Sequence, residues 1–304
     1  MNKVWILIAD DMSAAQVAGV AAKTGVPFEA LVFGGADRAA AAAAYGAEKV
    51  VLFDTADVLA EAMAPAIAER ALQEAPAAII SSDNATARAI ACAIAVKLSA
   101  AVATSVVSVK VGDEGNVVEH FVADAAAVEV LRTSAPVVCI VADGGEEAEC
   151  TEAAEVAVGD AAALDTLSVL STDCEAGDAN GLLNAEKVVG VGLGIGPKEN
   201  LALVEDLAEA LGAEIACTLP LCDNYHWFEH SRVVGTSTQK ISPRLYLTVG
   251  SSGAPQHMTG VRGAKVIVAI NNDPEAPIFR ECAYGVLGDA KEVLPALTAA
   301  VKSV

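Results

Sequence analysis

The sequence predicts an α/β protein of two domains, and three observations carry that prediction. Short β-favouring runs alternate with alanine-rich helical stretches from the N-terminus onward, the pattern of βαβ units on a parallel sheet. The alternation lapses near Gly181 and restarts at Lys187 with a second series of strand, glycine turn and helix. Apolar residues make up 54% of the 304-residue chain while aromatic residues make up only 4%, so small aliphatic side chains must fill the cores, as between helices and a sheet.

In order, the strand-like runs Val4 to Ile8, Phe28 to Phe33, Lys49 to Phe53 and Ala77 to Ser81 are each followed by a helical stretch: Ala14 to Lys23, Arg38 to Ala44, Val58 to Glu74 and Thr86 to Leu98. After Ala100 the pattern becomes strand-rich, with Ala103 to Val111, Val117 to Val122, Ala126 to Arg132 and Val137 to Val141. The connection Gly112-Asp113-Glu114-Gly115-Asn116 is a hairpin signal, which gives the sheet an antiparallel edge. The first domain, residues 1–181, is thus expected as an αβα sandwich on a parallel sheet with that edge. Asp143 to Asp165 is acidic, and Glu146 to Glu155 reads as a solvated face. Leu167 to Leu170 reads as a last strand before the turn-rich Thr172 to Asn184.

The second domain, residues 182–304, opens with Lys187 to Gly196 and a helix from Lys198 to Leu211. Its glycines invite comparison with a dinucleotide fingerprint, but the spacing Gly-x-Gly-x-x-Gly does not occur, so the run reads as a closely packed strand-to-helix turn. Glu214 to Cys217, an irregular segment through Ser242, Leu245 to Val249, Ala264 to Ile270 and a closing helix from Ala290 to Val301 complete the domain.

A formal charge of −21 with no basic run argues against nucleic acid as a partner. No apolar stretch reaches the roughly 18–20 residues that span a bilayer, and Val4 to Ile8 is too short for a signal-peptide core, so a cytoplasmic protein that is not membrane-inserted is expected. The seven cysteines are scattered and contain no Cys-x-x-Cys, the usage of free thiols. His226 and His230, with Cys222 and Asp223 before them, have helical spacing for a metal pair, but no further ligand is evident and a surface or packing role is the plainer reading; no metal is assigned.

The densest chemistry lies in Gly250-Ser251-Ser252-Gly253-Ala254-Pro255-Gln256-His257, between two strand runs. Two glycines permit close backbone approach, Ser252 offers a hydroxyl, and Pro255 suits a first helical position, so the turn can present free N–H groups to a phosphate or another anion. A glycine-serine turn also serves as a plain link between strands.

From this turn through Lys265-Val266-Ile267-Val268-Ala269-Ile270-Asn271-Asn272-Asp273-Pro274-Glu275-Ala276-Pro277-Ile278-Phe279, and on through Tyr284-Gly285 and Gly288-Asp289, the sequence resembles the α subunit of electron-transfer flavoproteins. The family pattern is Ser-Gly-Ala-x-Gln-His followed by Val-Ile-Val-Ala-Ile-Asn-x-Asp-Pro-x-Ala-Pro-Ile-Phe. Tyr225-His226-Trp227 and Val234-Gly235-Thr236-Ser237 look most like the bacterial anaerobic or carnitine-type branch. The resemblance covers the second domain well; the first domain agrees in length and layout.

The resemblance implies a flavodoxin-like, DHS-like FAD-binding second domain and a heterodimer with a β subunit. It also implies electron transport from a flavin dehydrogenase, of the acyl-CoA dehydrogenase type used in fatty acid β-oxidation, to a quinone reductase or other downstream acceptor. Carried over by position, Ser252 and the Gly253 backbone meet the pyrophosphate with Ser251 beside them. Gln256 and His257 lie by the isoalloxazine ring, Asn271 and Asp289 serve the adenosine and ribitol side, and Ser237, next to Thr236, approaches flavin N5. The chain departs from the family where Ser-Arg is replaced by Thr218-Leu219 and Gly-Arg-Gly by Gly192-Leu193-Gly194. Loss of a cation over the ring predicts a less stable anionic semiquinone than is usual, unless Arg232 or Arg244 substitutes. The same losses leave open a second expectation, a nucleotide-binding assembly subunit whose flavin redox role is altered or lost.

Overall fold

The computed structural model describes residues 3–11, 13–123, 127–142, 146–171 and 179–303. The chain divides into two compact units, residues 1–173 and 174–304.

The first unit runs β1 (Val4–Ile8), α1 (Ala14–Ala22), β2 (Phe28–Gly34), α2 (Ala36–Ala43), β3 (Lys49–Asp54), a 3-10 turn (Ala60–Met63), α3 (Ala64–Glu74), β4 (Ala78–Ser81) and α4 (Ala85–Leu98). It continues with β5 (Ala101–Gly112), β6 (Gly115–Val122), β7 (Ala127–Thr133), β8 (Val137–Val141) and β9 (Val156–Val158). The strands form one sheet in the order β7-β6-β5-β8-β4-β1-β2-β3-β9. Among the described residues only the β5–β6 and β6–β7 pairs are antiparallel, which gives the expected edge.

Every residue of β1 is buried, because side chains of alternating parity face two separate cores. Val4, Ile6 and Ile8 pack with Val17, Ala18, Ala39 and Ala42 of α1 and α2, whereas Trp5 and Leu7 pack with Ile67, Ala71, Ile90 and Ile94 of α3 and α4. The alanines of these helices let them lie close to the sheet. Asn84 caps α4 by accepting from Thr86 N at 2.9 Å and Ala87 N at 3.2 Å.

Leu167 to Leu170 is not a strand, contrary to expectation: its leucines are exposed and it joins no sheet among the described residues. The open edge of β3 is taken instead by β9, with Val50 opposite Val156. An apolar run becomes a strand only by pairing with a sheet edge, and among the described residues this one joins neither edge.

The second unit comprises α5 (Ala179–Leu183), β10 (Lys187–Val191), α6 (Leu201–Leu211), β11 (Glu214–Cys217), α7 (Leu219–Asp223), β12 (Leu245–Val249), α8 (Pro255–Met258), β13 (Val266–Asn271), α9 (Ile278–Glu281), β14 (Tyr284–Leu287) and α10 (Ala290–Lys302). Helix α5 carries Gly181 and buries Leu182 against Val188 and Tyr246, so a division at residues 181/182 cuts a helix that belongs to this unit. The five strands are all parallel, in the order β11-β10-β12-β13-β14. The chain starts in β10, winds outward to β11, then crosses back to β12, which is the flavodoxin-like order with its switch between β10 and β12. One face packs Val189, Val191, Leu247 and Val249 against α6 and α10; the other packs Val188, Tyr246 and Ala269 against Leu182, Met258 and Val261.

Candidate functional site

Two turns leave the sheet side by side at that switch point. Val191 ends β10 opposite Val249 of β12, and Gly192-Leu193-Gly194 follows the first while Gly250-Ser251-Ser252-Gly253 follows the second. A Cβ on Gly192 would lie 2.4 Å from the Gly250 carbonyl oxygen, and one on Gly250 (φ +66°) would lie 2.5 Å from the backbone of Gly194 and Ile195. Gly194 N–H donates to Gly250 O at 2.8 Å, so the turns are locked together with no space for side chains between them. This is the close packing expected of the glycine run.

The second turn is fixed from its other side as well. Gly253 (φ +80°) lies so near Ile278 that a Cβ would come within 2.5 Å of its nitrogen, which donates to Ser252 O at 3.0 Å. Asn271 donates through Nδ2 to Ser251 O at 2.8 Å and accepts at Oδ1 from Asp273 N at 3.0 Å. Among the described residues, the N–H groups of Ser251 and Ser252 have no protein acceptor. Pro255 occupies the first turn of α8, as its sequence position suggested.

The turns open onto a cleft of about 820 Å³ at the C-terminal ends of the strands. That volume is in the range of cofactor pockets, and the crevice at the switch point of an open parallel sheet is where such ligands bind. Among its lining residues Asp273 alone carries a formal charge, and none is lysine or arginine.

His257, the third of the four residues of α8, lines this cleft and is only 6% exposed. Its Nδ1 lies 3.0 Å from the Val234 carbonyl oxygen and its Nε2 2.8 Å from the Tyr246 hydroxyl. A carbonyl only accepts, so Nδ1 carries the hydrogen; in the neutral ring Nε2 is then an acceptor and the phenol donates to it. Burial holds the imidazole below its ordinary pKa, against the opposing pull of the Val234 carbonyl. The Tyr246 phenol is fully buried and pushed well above its ordinary value, again by burial, with Thr248's hydroxyl acting in the opposite direction.

Of the residues singled out from the sequence, Leu219, Thr236, Ser237, Ser251, Ser252, Gln256, His257 and Asn271 all line the cleft, and Gly253 stands within its turn. Asp289 does not: it caps α10, accepting from Lys291 N at 2.9 Å. Both nitrogens of His257 are already bonded to protein, and the Asn271 amide is engaged at both ends with the backbone, so these two side chains shape the cleft rather than offer it free donors. Neither substitute arginine reaches the cleft. Arg232 pairs with Glu214 at 2.5 Å, and Arg244 lies by Glu186 and Lys187 at the opposite end of the strands.

Leu193 and Leu219 both line the cleft, and both are more than two-fifths exposed. His226 and His230 do not share a helix: α7 ends at Asp223, His226 lies in irregular chain with φ +52°, and His230 opens a 3-10 turn. Among the described residues no group of three potential ligands could hold a metal.

Reading the sequence missed Tyr246 and Gly190. The signal was present in register: Gly190 stands opposite Thr248, two residues beyond Tyr246 on one sheet face, where a large phenol needs a neighbour without a side chain.

A locked glycine turn with unclaimed N–H groups, opening on a large, mostly apolar cleft at a parallel-sheet switch point, defines a nucleotide-cofactor-binding α/β protein. Comparison with known proteins narrows the class. Residues 181–262 match the profile of the electron transfer flavoprotein FAD-binding domain, and residues 11–166 match the electron transfer flavoprotein domain. The chain is 34% identical over 312 residues to Protein FixB of Salmonella typhimurium (strain LT2), covering 99% of each chain. It is 40% identical over 219 residues to Protein FixB of Escherichia coli O7:K1, covering 70% of this chain and 69% of the relative. The chain belongs to the electron transfer flavoprotein alpha-subunit family.

FAD is the cofactor of this family's second domain, and the alpha subunit pairs with a beta subunit. The residues present fit it: the turn is held rigidly, with neighbouring backbone filling the space of every Cβ its glycines lack, its free N–H groups suit an anion, and the exposed leucines suit a flat apolar ring. Among the described residues no helix is long and apolar enough to cross a membrane.

Proposed function

We propose that the cleft holds FAD with its pyrophosphate on Ser252 and the Gly253 backbone, that Gln256, His257, Thr236 and Ser237 lie along its ring, and that Leu219 covers the ring where an arginine is usual. The bound flavin supplies reversible one- and two-electron transfer, which no side chain of this chain can provide. What the chain contributes is a rigid seat. Gly192, Gly194, Gly250 and Gly253 fix the turn, Asn271 ties it to β13, and the apolar lining keeps water from the ring. The observation that carries the reading is the pair of interlocked turns opening on the 820 Å³ cleft.

On this reading the heterodimer is a cytoplasmic carrier that takes electrons from a flavin dehydrogenase of the acyl-CoA dehydrogenase type, as in fatty acid β-oxidation, and delivers them to a quinone reductase or another acceptor. The resemblance to the anaerobic or carnitine-type branch makes a dehydrogenase of the acyl-CoA dehydrogenase type the first donor to try. Mixing the purified heterodimer with such a dehydrogenase and its substrate tests this directly. Bleaching of the heterodimer's flavin absorbance, dependent on the dehydrogenase, is expected; an unchanged spectrum with every flavin dehydrogenase tried would overturn the carrier role.

The lack of a lysine or arginine on the cleft favours a second reading, in which an adenine nucleotide rather than a redox-active flavin occupies the site and the chain serves assembly. Chromatography of the cofactor released by acid separates the two, since the first requires FAD and the second a nucleotide without a flavin.

A further inference from the structure

The cleft has one negative side chain, Asp273, and no permanent cation among its lining residues. Any electron added to a cofactor there brings further negative charge into a partly dry space, where a nearby positive charge counts for more than in water. One lining group can become positive in response, His257. Its situation is unusual for a buried imidazole, because both nitrogens are bonded in place and yet only one of them can change state. Nδ1 faces the Val234 carbonyl, an acceptor in every circumstance, and so keeps its hydrogen. All change of charge therefore falls on Nε2, where the described residues supply one hydrogen-bonding group, the Tyr246 hydroxyl at 2.8 Å.

We infer that Tyr246 is a positioning residue that lets His257 change charge without leaving its place: the phenol donates to Nε2 while the imidazole is neutral and accepts from Nε2–H once it is protonated. A hydroxyl can do both, since it has one hydrogen and two lone pairs. When it turns to accept, its own hydrogen needs a new acceptor. Thr248 supplies one, two residues along the same sheet face, with a buried hydroxyl beside the phenol and no hydrogen bond to any other described group. The proton taken up at Nε2 comes from solvent and returns there on reoxidation, and no other bond is made or broken. Gly190 makes the device possible, because the phenol lies where any larger residue would put its Cβ.

The other titratable groups around the pair do not compete for the proton. Cys217, at the end of β11, is pushed up to about 12 by burial and stays a neutral thiol. Asp273 remains on the cleft wall as the negative charge that favours a protonated His257.

The inference rests on FAD occupying this cleft, and the test separates the two claims. Tyr246→Phe removes only the hydroxyl and keeps the ring in its slot beside Gly190. In the FAD-loaded heterodimer, the midpoint potential measured from pH 5.5 to 8.5 is expected to fall with pH more steeply in the wild type than in Tyr246→Phe. The potential of the variant is expected to be the more negative at the acid end, with FAD content unchanged. In the full chain without flavin, nitrogen-15 spectra of the imidazole, assigned with His257→Asn, read the same device independently. Without an acceptor for Nε2–H, the protonation constant of His257 should drop by roughly tenfold or more.

Equal titration of His257 in wild type and Tyr246→Phe would overturn the inference, whatever the flavin content. A wild-type heterodimer that holds no FAD would overturn the reading of the cleft and leave the imidazole titration to decide the role of Tyr246. Should Tyr246→Phe fail to fold, Thr248→Val carries the test: it removes only the acceptor for the turned phenol hydrogen, must shift the titration in the same direction by a smaller amount, and counts against the device if it shifts nothing.

Discussion

A Cβ placed on Gly190 would lie 1.8 Å from the hydroxyl oxygen of Tyr246, so this residue of β10 is glycine because a phenol occupies its side-chain space. That phenol in turn reaches the imidazole on the wall of the cofactor cleft. A packing relationship inside the sheet thus determines what a site residue can do.

Gly190→Ala should therefore cost about 1–3 kcal/mol of stability by overpacking, and it should cost more in the presence of Tyr246 than in a Tyr246→Leu background. Denaturant unfolding of the four proteins in that cycle measures the coupling. Additive losses would show that the two residues do not share the space.

Gly250→Ala places a side chain at φ +66° and against the backbone of Gly194. The turn must move, and FAD affinity should fall at least tenfold while the first unit is untouched. Ser252→Ala, which leaves the backbone alone, should weaken FAD by about 1 kcal/mol, the value of one hydrogen bond. Titrating the stripped heterodimer with FAD distinguishes these two scales.

Leu219 lines the cleft in the place of a usual arginine and is 42% exposed. Leu219→Arg should raise the midpoint potential of the bound flavin, since a cation favours the more negative reduced form. Screening at this exposure limits the gain to roughly 1 kcal/mol per electron, or about 40 mV. A potential that stays put or falls would place the ring away from this residue.

His257 is held below its ordinary pKa by burial, so the folded chain resists protonating it while the unfolded chain does so freely. The unfolded state binds more protons, and stability must decline as pH falls through about 6.5 until the depressed folded value is reached, below which this contribution levels off. In His257→Asn the decline over that window should shrink. Unfolding midpoints at pH 5, 6, 7 and 8 provide the check, and parallel curves would deny the imidazole a part in it.

Much of the fold was legible because periodicity reports burial. Val4 to Ile8, Val137 to Val141 and Leu245 to Val249 read as strands since both faces of a parallel sheet are covered and apolar runs are continuous. Two of the four edge strands were not legible. β14 exposes all four of its residues and β9 exposes both valines, so neither carries the pattern that burial imposes, while the apolar run Leu167 to Leu170 joins no sheet among the described residues. In the site, the turn from Gly250 to His257 was legible because its residues are contiguous. The hydrogen bond from Tyr246 to His257 was not, because it joins residues eleven apart whose meeting depends on sheet register and on the absence of a side chain at Gly190. Asp289 illustrates the converse: a residue in the right motif whose carboxylate is engaged as a helix cap.

Whether the interlocked glycine turns seat FAD is read from the flavin absorbance and released cofactor of the heterodimer purified with its beta subunit, beside a Gly253→Val variant. Gly253 has φ +80° and no space for a Cβ beside Ile278, so valine must displace the turn. Equimolar FAD in the wild type, with little or none in a Gly253→Val heterodimer that retains its circular dichroism, is the predicted result. FAD retained in full by that variant, or a folded wild-type heterodimer without flavin, would contradict the account.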